Sequence, residues 1–301
     1  GIKQQIESSV TKRSLDGRTP VEIYQTASLR IHQMVEDLFT CWREDLQPEL
    51  DKEGFHFHSI RHLSDQNKQW LDKYFTEKVQ PVLTPLAVDP SKAFPLILNK
   101  SLNIIAKVQR KGTNGIEHRL CIVQVPRIIP RLVQLPHGKS VHDYVFLADV
   151  ISHYIEKLFP GNQIMGNWRF RVTRNSELYV DEEDANNILK AVENELRNRR
   201  KGDAVRLEVD LEAPEDLVNE LLDKMELTED DLYRINGPVN PIHLNGLFEG
   251  DHSPELRNDH FIPAPSPLFQ SSKNIFEVIR KQDVFLHHPY ESFDHVIQLL
   301  E

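Results

Sequence analysis

Cysteine is scarce in this chain: Cys41 and Cys121 are the only two among 301 residues. They stand far apart, without Cys-x-x-Cys or Cys/His zinc spacing, which suits a reducing compartment and two buried thiols. Long apolar runs are missing too. No stretch of eighteen hydrophobic residues occurs, so no transmembrane segment is expected, and the opening GIKQQIESSV lacks a signal-peptide core. With no initiator Met, Gly1 is expected to be a cut inside a longer chain, and the cytoplasm is the default location. The glycine-rich phosphate cradles GxxxxGK[ST] and GxGxxG do not occur, nor do HExxH, a nucleophile elbow, an EF-hand loop or a zinc-deaminase pattern. Basic residues are outnumbered 36 to 46, and the net charge of −10 argues against general nucleic-acid binding.

What is present is unevenly distributed. Between Pro90 and His142 there are nine basic residues and one acid, Glu117, a net +8 against −18 for the remainder. Either this is a solvated sheet face whose bases pair with acids elsewhere, or it is a surface for a polyanion held by charge-assisted bonds. Within it, Val125-Pro-Arg-Ile-Ile-Pro-Arg131 uses Pro126 and Pro130 to stiffen the backbone and hold Arg127 and Arg131 four residues apart. Forked guanidiniums suit phosphate, and equally suit salt bridges that anchor a turn.

The periodicity places helices and strands around that window. Ile23, Ala27, Ile31, Met34, Leu38, Cys41 and Trp42 form one helical stripe between Pro20 and Gly54, after a short helix over about 2–10. Ser64 caps a second helix running to Val79 with Trp70, Leu71, Tyr74 and Phe75 inward. Strands are expected over 102–108, 120–125 and 132–135, the first two joined by the Gly-containing loop KGTNGIE. A helix is expected over 144–159, strands over 170–173 and 177–180, and a helix over 214–224 capped near Ala213 or Glu212. A strand over 232–235 follows, then a Pro/Gly-rich connection over 236–267.

Residues 172–209, VTRNSELYVDEEDANNILKAVENELRNRRKGDAVRLEV, read as strand, helix, strand. Asp181 to Asp184 put acids at the positive end of the helix, Arg197 to Lys201 put bases at its negative end, and Gly202 closes it. Near the end of the chain, 283–288 reads as a strand leading through Tyr290-Glu-Ser-Phe-Asp into a helix capped by Ser292. His287 and His288 lie at the carboxyl end of that strand, where ligands commonly bind in α/β sheets, although lone histidines often fill structural roles. His56, His58 and His62 are close in sequence, but no Cys or carboxylate set beside them completes a metal shell.

Residues 172–209, together with IVQVPRIIPRLVQLP, LYRINGPVNPIHL and QDVFLHHPYESFDHVIQLL in that family's order, resemble the bacterial polyphosphate kinases that polymerise phosphate from ATP. The resemblance implies an α+β chain. Residues 1–55 would finish an N-terminal helical domain, and 56–270 would form a mixed α/β head with a largely antiparallel sheet. Residues 271–301 would begin the first phospholipase-D-like catalytic domain with a strand-helix unit. It further implies ATP and Mg²⁺ as cofactors of the parent enzyme, inorganic polyphosphate as substrate, a homodimer or higher homo-oligomer built through the head, and membrane association as an option for the full-length enzyme. The family's Ser-Asn-Asn-Leu-Asp-Glu-Phe-like ATP motif would precede Gly1, and two phospholipase-D-like domains would follow Glu301. The phosphohistidine would lie there, so none of the fourteen histidines inherits that role, and this chain alone is expected to be inactive. No residue is assigned to catalysis, cofactor or metal. Arg127 and Arg131 are candidates for polyphosphate contact, and His287 and His288 for proximity to the active site. The alternative is a stand-alone assembly or polyanion-binding module.

Overall fold

The computed structural model describes residues 2–9, 12–89, 91–112, 115–136, 142–175, 202–249, 254–270 and 274–300. An N-terminal helical segment leads into a mixed α/β body whose main sheet is largely antiparallel. Helix α1 (Ile2–Glu7) precedes α2 (Pro20–Cys41). A capping box starts α2: Thr19 Oγ1 accepts from Glu22 N, and Glu22 Oε2 accepts from Thr19 N, with Pro20 at the first helical position. The helix continues through a π turn, Trp42–Leu46, into α3 (Gln47–Lys52). Its stripe is only partly covered. Trp42 of the expected stripe is buried, together with Phe39 from outside it, whereas Ile31, Met34 and Leu38 stay 41%, 55% and 49% exposed. Of the two thiols expected inside, Cys121 is buried but Cys41 is exposed, because it lies off the buried Phe39 side of the helix. Helix α4 (Asp65–Tyr74) is capped by Ser64, whose Oγ accepts from Asn67 N, and buries Leu71 with Phe75 and Val79 beyond it.

A three-stranded sheet joins β1 (Phe55–Phe57), β6 (His142–Phe146) and β5 (Leu132–Gln134) in that order, with β1 and β6 parallel. The six-stranded sheet contains β2 (Pro85–Ala87), β3 (Leu102–Gly112), β4 (Gly115–Gln124), β7 (Gln163–Arg174), β8 (Ala204–Asp210) and β9 (Leu232–Ile235). Its order is β2-β4-β3-β7-β8-β9, and only β8 and β9 run parallel. Helix α5 (Leu147–His153) follows β6, and α6 (Glu215–Met225), with Pro214 at its N-cap, crosses from β8 to β9. The cap thus falls one residue beyond Ala213. Alternation sends Ile104, Ala106, Cys121 and Val123 to one face of the sheet, against Phe75, Val145 and Ile151. It sends Ile105, Ile122, Phe170, Leu207 and Val209 to the other, against Leu217 and Leu221 of α6.

Two elements of the α/β body differ from the sequence reading. The helix expected over 144–159 starts as strand β6, turns into α5 at Leu147, and ends in a 3₁₀ turn over Ile155–Leu158. An apolar run such as YVFLADVIS satisfies either period, and pairing with β1 and β5 decides for strand. Strand β7 is twelve residues long rather than four, because β3 and β8 flank it on both sides. The expected strand over 177–180 and helix over 181–201 lie outside the described residues.

The chain divides into two compact units, 1–249 and 250–301. The second holds helices Ile275–Lys281 and Asp294–Leu300, with Ser292 Oγ accepting from Asp294 N. The strand expected over 283–288 is not formed: 283–287 have no ladder partner among the described residues, His288 enters a turn, and the sheet-like contact found nearby is the bridge between Ala264 and Glu291.

Candidate functional site

Polar residues replace apolar ones where one face of the six-stranded sheet passes under residues 236–245. Register places Leu102, Arg171, Glu208 and Tyr233 in one row across β3, β7, β8 and β9. Glu208, buried, accepts from Arg171 Nη1 at 2.8 Å and from Arg206 Nη2 at 2.6 Å. The Arg206 guanidinium lies 3.9 Å from the Tyr233 ring centre, and His32 of α2 stacks on the other side of that ring at 4.1 Å. One row along, Arg169 sits between two carboxylates. Its backbone N and Nε donate to Asp210 at 2.6 and 2.8 Å, and its Nη1 donates to Asp149 at 2.5 Å. Burial pushes the Asp149 carboxyl upward, with Asp210 adding to the shift and Arg169 opposing it. Burial lowers Arg169, but Asp149 and Asp210 more than reverse this and keep it charged.

Arg131 is the fourth arginine here and has no carboxylate of its own among the described residues. Its backbone carbonyl accepts from Leu147 N at 2.8 Å, which ties the end of the Pro-Arg-Ile-Ile-Pro-Arg turn to the start of α5. Its half-buried side chain enters a recess with Leu102, Phe146, Ala148, Arg169, Val239 and His243. Nη1 is buried and makes no hydrogen bond among the described residues. Burial and the neighbouring Arg127 both lower its pKa. His243 is pushed down to about 4 by burial and by Arg131 and Arg171, so its ring is neutral at pH 7, with Asn240 Nδ2 at 3.1 Å from Nε2. The structure therefore brings Arg131 together with Arg169, Arg171 and His243, which sequence reasoning did not connect. Arg127 is exposed, with Ile128 beside it 82% exposed.

Elsewhere in the basic window, Lys107 pairs with Asp216, Arg119 with Glu117 at 2.9 Å, and Lys92 with Asp89 at 3.6 Å. Those bases behave as a solvated, internally paired face. A cleft of about 680 Å³ opens at the carboxyl ends of β1, β6, β8 and β9, with Arg61, His153, Arg169 and Glu212 on its walls. No sequence motif marks it, since four short strands from two sheets contribute; carboxyl ends of parallel strands are the available signal. His58 donates toward buried Asp143 at 2.6 Å and His56 toward Asp51 at 2.5 Å, so these histidines serve carboxylates.

His287 and His288 lie in the second unit. His287 N donates to Glu291 Oε2 at 2.8 Å, and His288 Nδ1 lies 2.9 Å from the Glu291 carbonyl, with a cis bond between His288 and Pro289. Their rings meet Tyr290 and Phe293 at 5.0 Å. These contacts organise a turn. Among the described residues no three His, Cys, Asp or Glu side chains could hold a metal ion. Magnesium with a nucleotide needs one or two carboxylates, and Asp149, Glu208 and Asp210 are each engaged by arginines, so these three do not fit that group.

Residues 66–247 match the polyphosphate kinase middle domain and residues 1–58 the polyphosphate kinase N-terminal domain. The chain is 39% identical over 302 aligned residues to a polyphosphate kinase of Pseudomonas aeruginosa, covering 100% of this chain and 44% of that protein. It is 36% identical to one of Neisseria meningitidis serogroup B, covering 99% of this chain and 44% of the relative. It thus spans less than half the length of these relatives. The crystal structure of polyphosphate kinase from Porphyromonas gingivalis shares the fold, with a TM-score of 0.71 at 22% identity over 93% of this chain and 40% of that one. With both domain matches falling in order along it, the chain belongs to the polyphosphate kinase family.

Proposed function

We propose that this chain works as part of a polyphosphate kinase, which transfers the γ-phosphate of ATP reversibly to polyphosphate through a phosphohistidine outside these 301 residues. The observation that carries this reading is similarity along the whole chain to proteins of that name. Phosphoryl transfer needs a nucleophile, a charge clamp and a metal placed together. The arginine layer supplies clamp chemistry alone, so ATP and Mg²⁺ are assigned to the remainder of the enzyme, which operates in the cytoplasm. The role assigned to this chain is assembly: residues 1–55 and 56–270 build a homodimer and orient the catalytic half, which begins near residue 271. Incubation of the chain with γ-labelled ATP and Mg²⁺ is expected to give neither acid-labile protein phosphate nor polymer. Either product would overturn the assignment of chemistry to other parts of the enzyme.

A second reading, that the turn at 125–131 belongs to a polyanion-binding surface, is favoured by the uncompensated guanidinium of Arg131. On this reading binding weakens with salt, and Arg127 and Arg131 both contribute.

A further inference from the structure

We infer that the recess at Arg131 is a subsite for a terminal phosphoryl group, either the end of a phosphate chain or free orthophosphate, and not for a phosphate inside a chain. This rests on the polyanion-binding reading of the 125–131 turn and adds what part of the anion is recognised.

The charge balance of the layer is the first argument. Asp149 and Asp210 are held by Arg169, and Glu208 is shared by Arg171 and Arg206. Arg131 is left over, close to Arg127 and sharing His243 with Arg171, and its Nη1 is buried without a hydrogen-bond partner among the described residues. Arg171 Nε and Arg206 Nε are buried without a partner as well, but those guanidiniums reach Glu208, whereas half-buried Arg131 reaches no carboxylate among the described residues, and an anion is what it lacks. His243 adds no positive charge at pH 7 and so leaves Arg131 as the binding charge.

Size is the second argument. The space in the partly open recess beside Arg131 is about 10 Å³, which admits one oxygen-sized group. One oxygen enters and the rest of the anion remains outside, within the electrostatic reach of exposed Arg127, which acts on Arg131. A terminal phosphoryl group suits this entry, because it presents non-bridging oxygens at the apex and its chain leads straight away. A mid-chain phosphate is flanked by a bridging oxygen on each side and carries a single charge. The terminal group bears nearly two, which a forked guanidinium favours. The Arg131 backbone is fixed in advance by Pro130 and by the bond from Leu147 N.

The test compares linear tripolyphosphate, which has two ends, with cyclic trimetaphosphate, which has none. Calorimetry of the chain at constant ionic strength without magnesium is expected to show at least tenfold tighter binding of the linear anion. Arg131→Ala should abolish that preference, while Arg127→Ala should weaken both anions by similar factors. Arg131→Lys, which keeps the charge and loses the fork, should also abolish it, and decides the matter if Arg131→Ala does not fold by circular dichroism. Orthophosphate binding as tightly as tripolyphosphate would identify free phosphate as the source; weaker orthophosphate binding would identify chain ends. Equal binding of linear and cyclic anions, or a preference that survives both Arg131 substitutions, overturns the terminal subsite and leaves a polyanion surface. Binding of neither anion removes both.

Discussion

Gly237 shows how one atom can set the junction between helix and sheet. Its φ is 157°, and an added Cβ would lie 2.8 Å from Phe39 Cδ1, on the side chain that docks α2. Gly237→Ala is expected to destabilise the protein by about 1–3 kcal/mol through this overpacking and strain, read as a lower urea midpoint with unchanged slope. His243 makes a pH prediction. Its pKa in the folded protein is about 4 against an ordinary 6.5, with Arg131, Arg171 and Asn240 facing it. Between those values the unfolded chain takes up a proton that the folded protein refuses, so stability is complete above pH 6.5 and is lost as pH falls toward 4. His243→Gln should flatten the fall in melting temperature between pH 7 and pH 4.5. Arg131 itself stood out in the sequence as a candidate for polyphosphate contact or for a salt bridge anchoring the turn. Its neighbours did not, because Arg171 and His243 are 40 and 112 residues away and meet it only through sheet register and the turn after β9.

At the scale of elements, the N-terminal helices are fastened to the α/β body at several points. Buried Asp231 accepts from Lys3 Nζ at 2.5 Å, Tyr24 Oη at 3.0 Å and Thr228 N at 3.1 Å. His32 adds a bond to the Asp230 carbonyl at 3.0 Å and the stack on Tyr233, and Arg43 Nη1 donates to the Asn236 carbonyl at 2.9 Å. Asp231→Asn removes the charge that Lys3 pairs with, and hydrogen exchange should then quicken in α1 and the first turns of α2 while β3 and β4 keep their protection. Uniform protection across α1 and α2 in the variant would show that the other fasteners suffice. Element types were readable wherever one period dominated, as in α4, α6 and the β3–β4 hairpin. They failed at 144–159 and 283–288, where an apolar run is decided by whether another strand is present to pair with it.

For the whole molecule, the expected divisions near residues 55 and 270 stand beside family matches that change between 58 and 66 and a structural division after 249. The α2–body fasteners explain why the first of these does not separate two compact units. Assembly through the head predicts that light scattering of this chain at high micromolar concentration gives the mass of a dimer or larger; monomer alone at that concentration would remove the assembly role. Family membership was legible because long stretches of the chain carry it, whereas the arginine layer draws on β7, β8 and the turns after β4 and β9, and no single stretch contains it.

The strand order of the large sheet also has a temporal side. β3 is flanked by β4, its immediate successor, and by β7, whose Arg171 pairs with Leu102 across 69 residues of chain. At a ribosome adding about 5–20 residues per second, the β3–β4 hairpin waits several seconds with one edge of β3 open. An open strand edge invites pairing with a neighbouring nascent chain. During that interval the acidic remainder is only partly made, and the +8 window that includes Lys107 and Arg110 repels its own copies. The charge that later merges into a solvated sheet face thus protects the youngest edge of the sheet until β7 closes it.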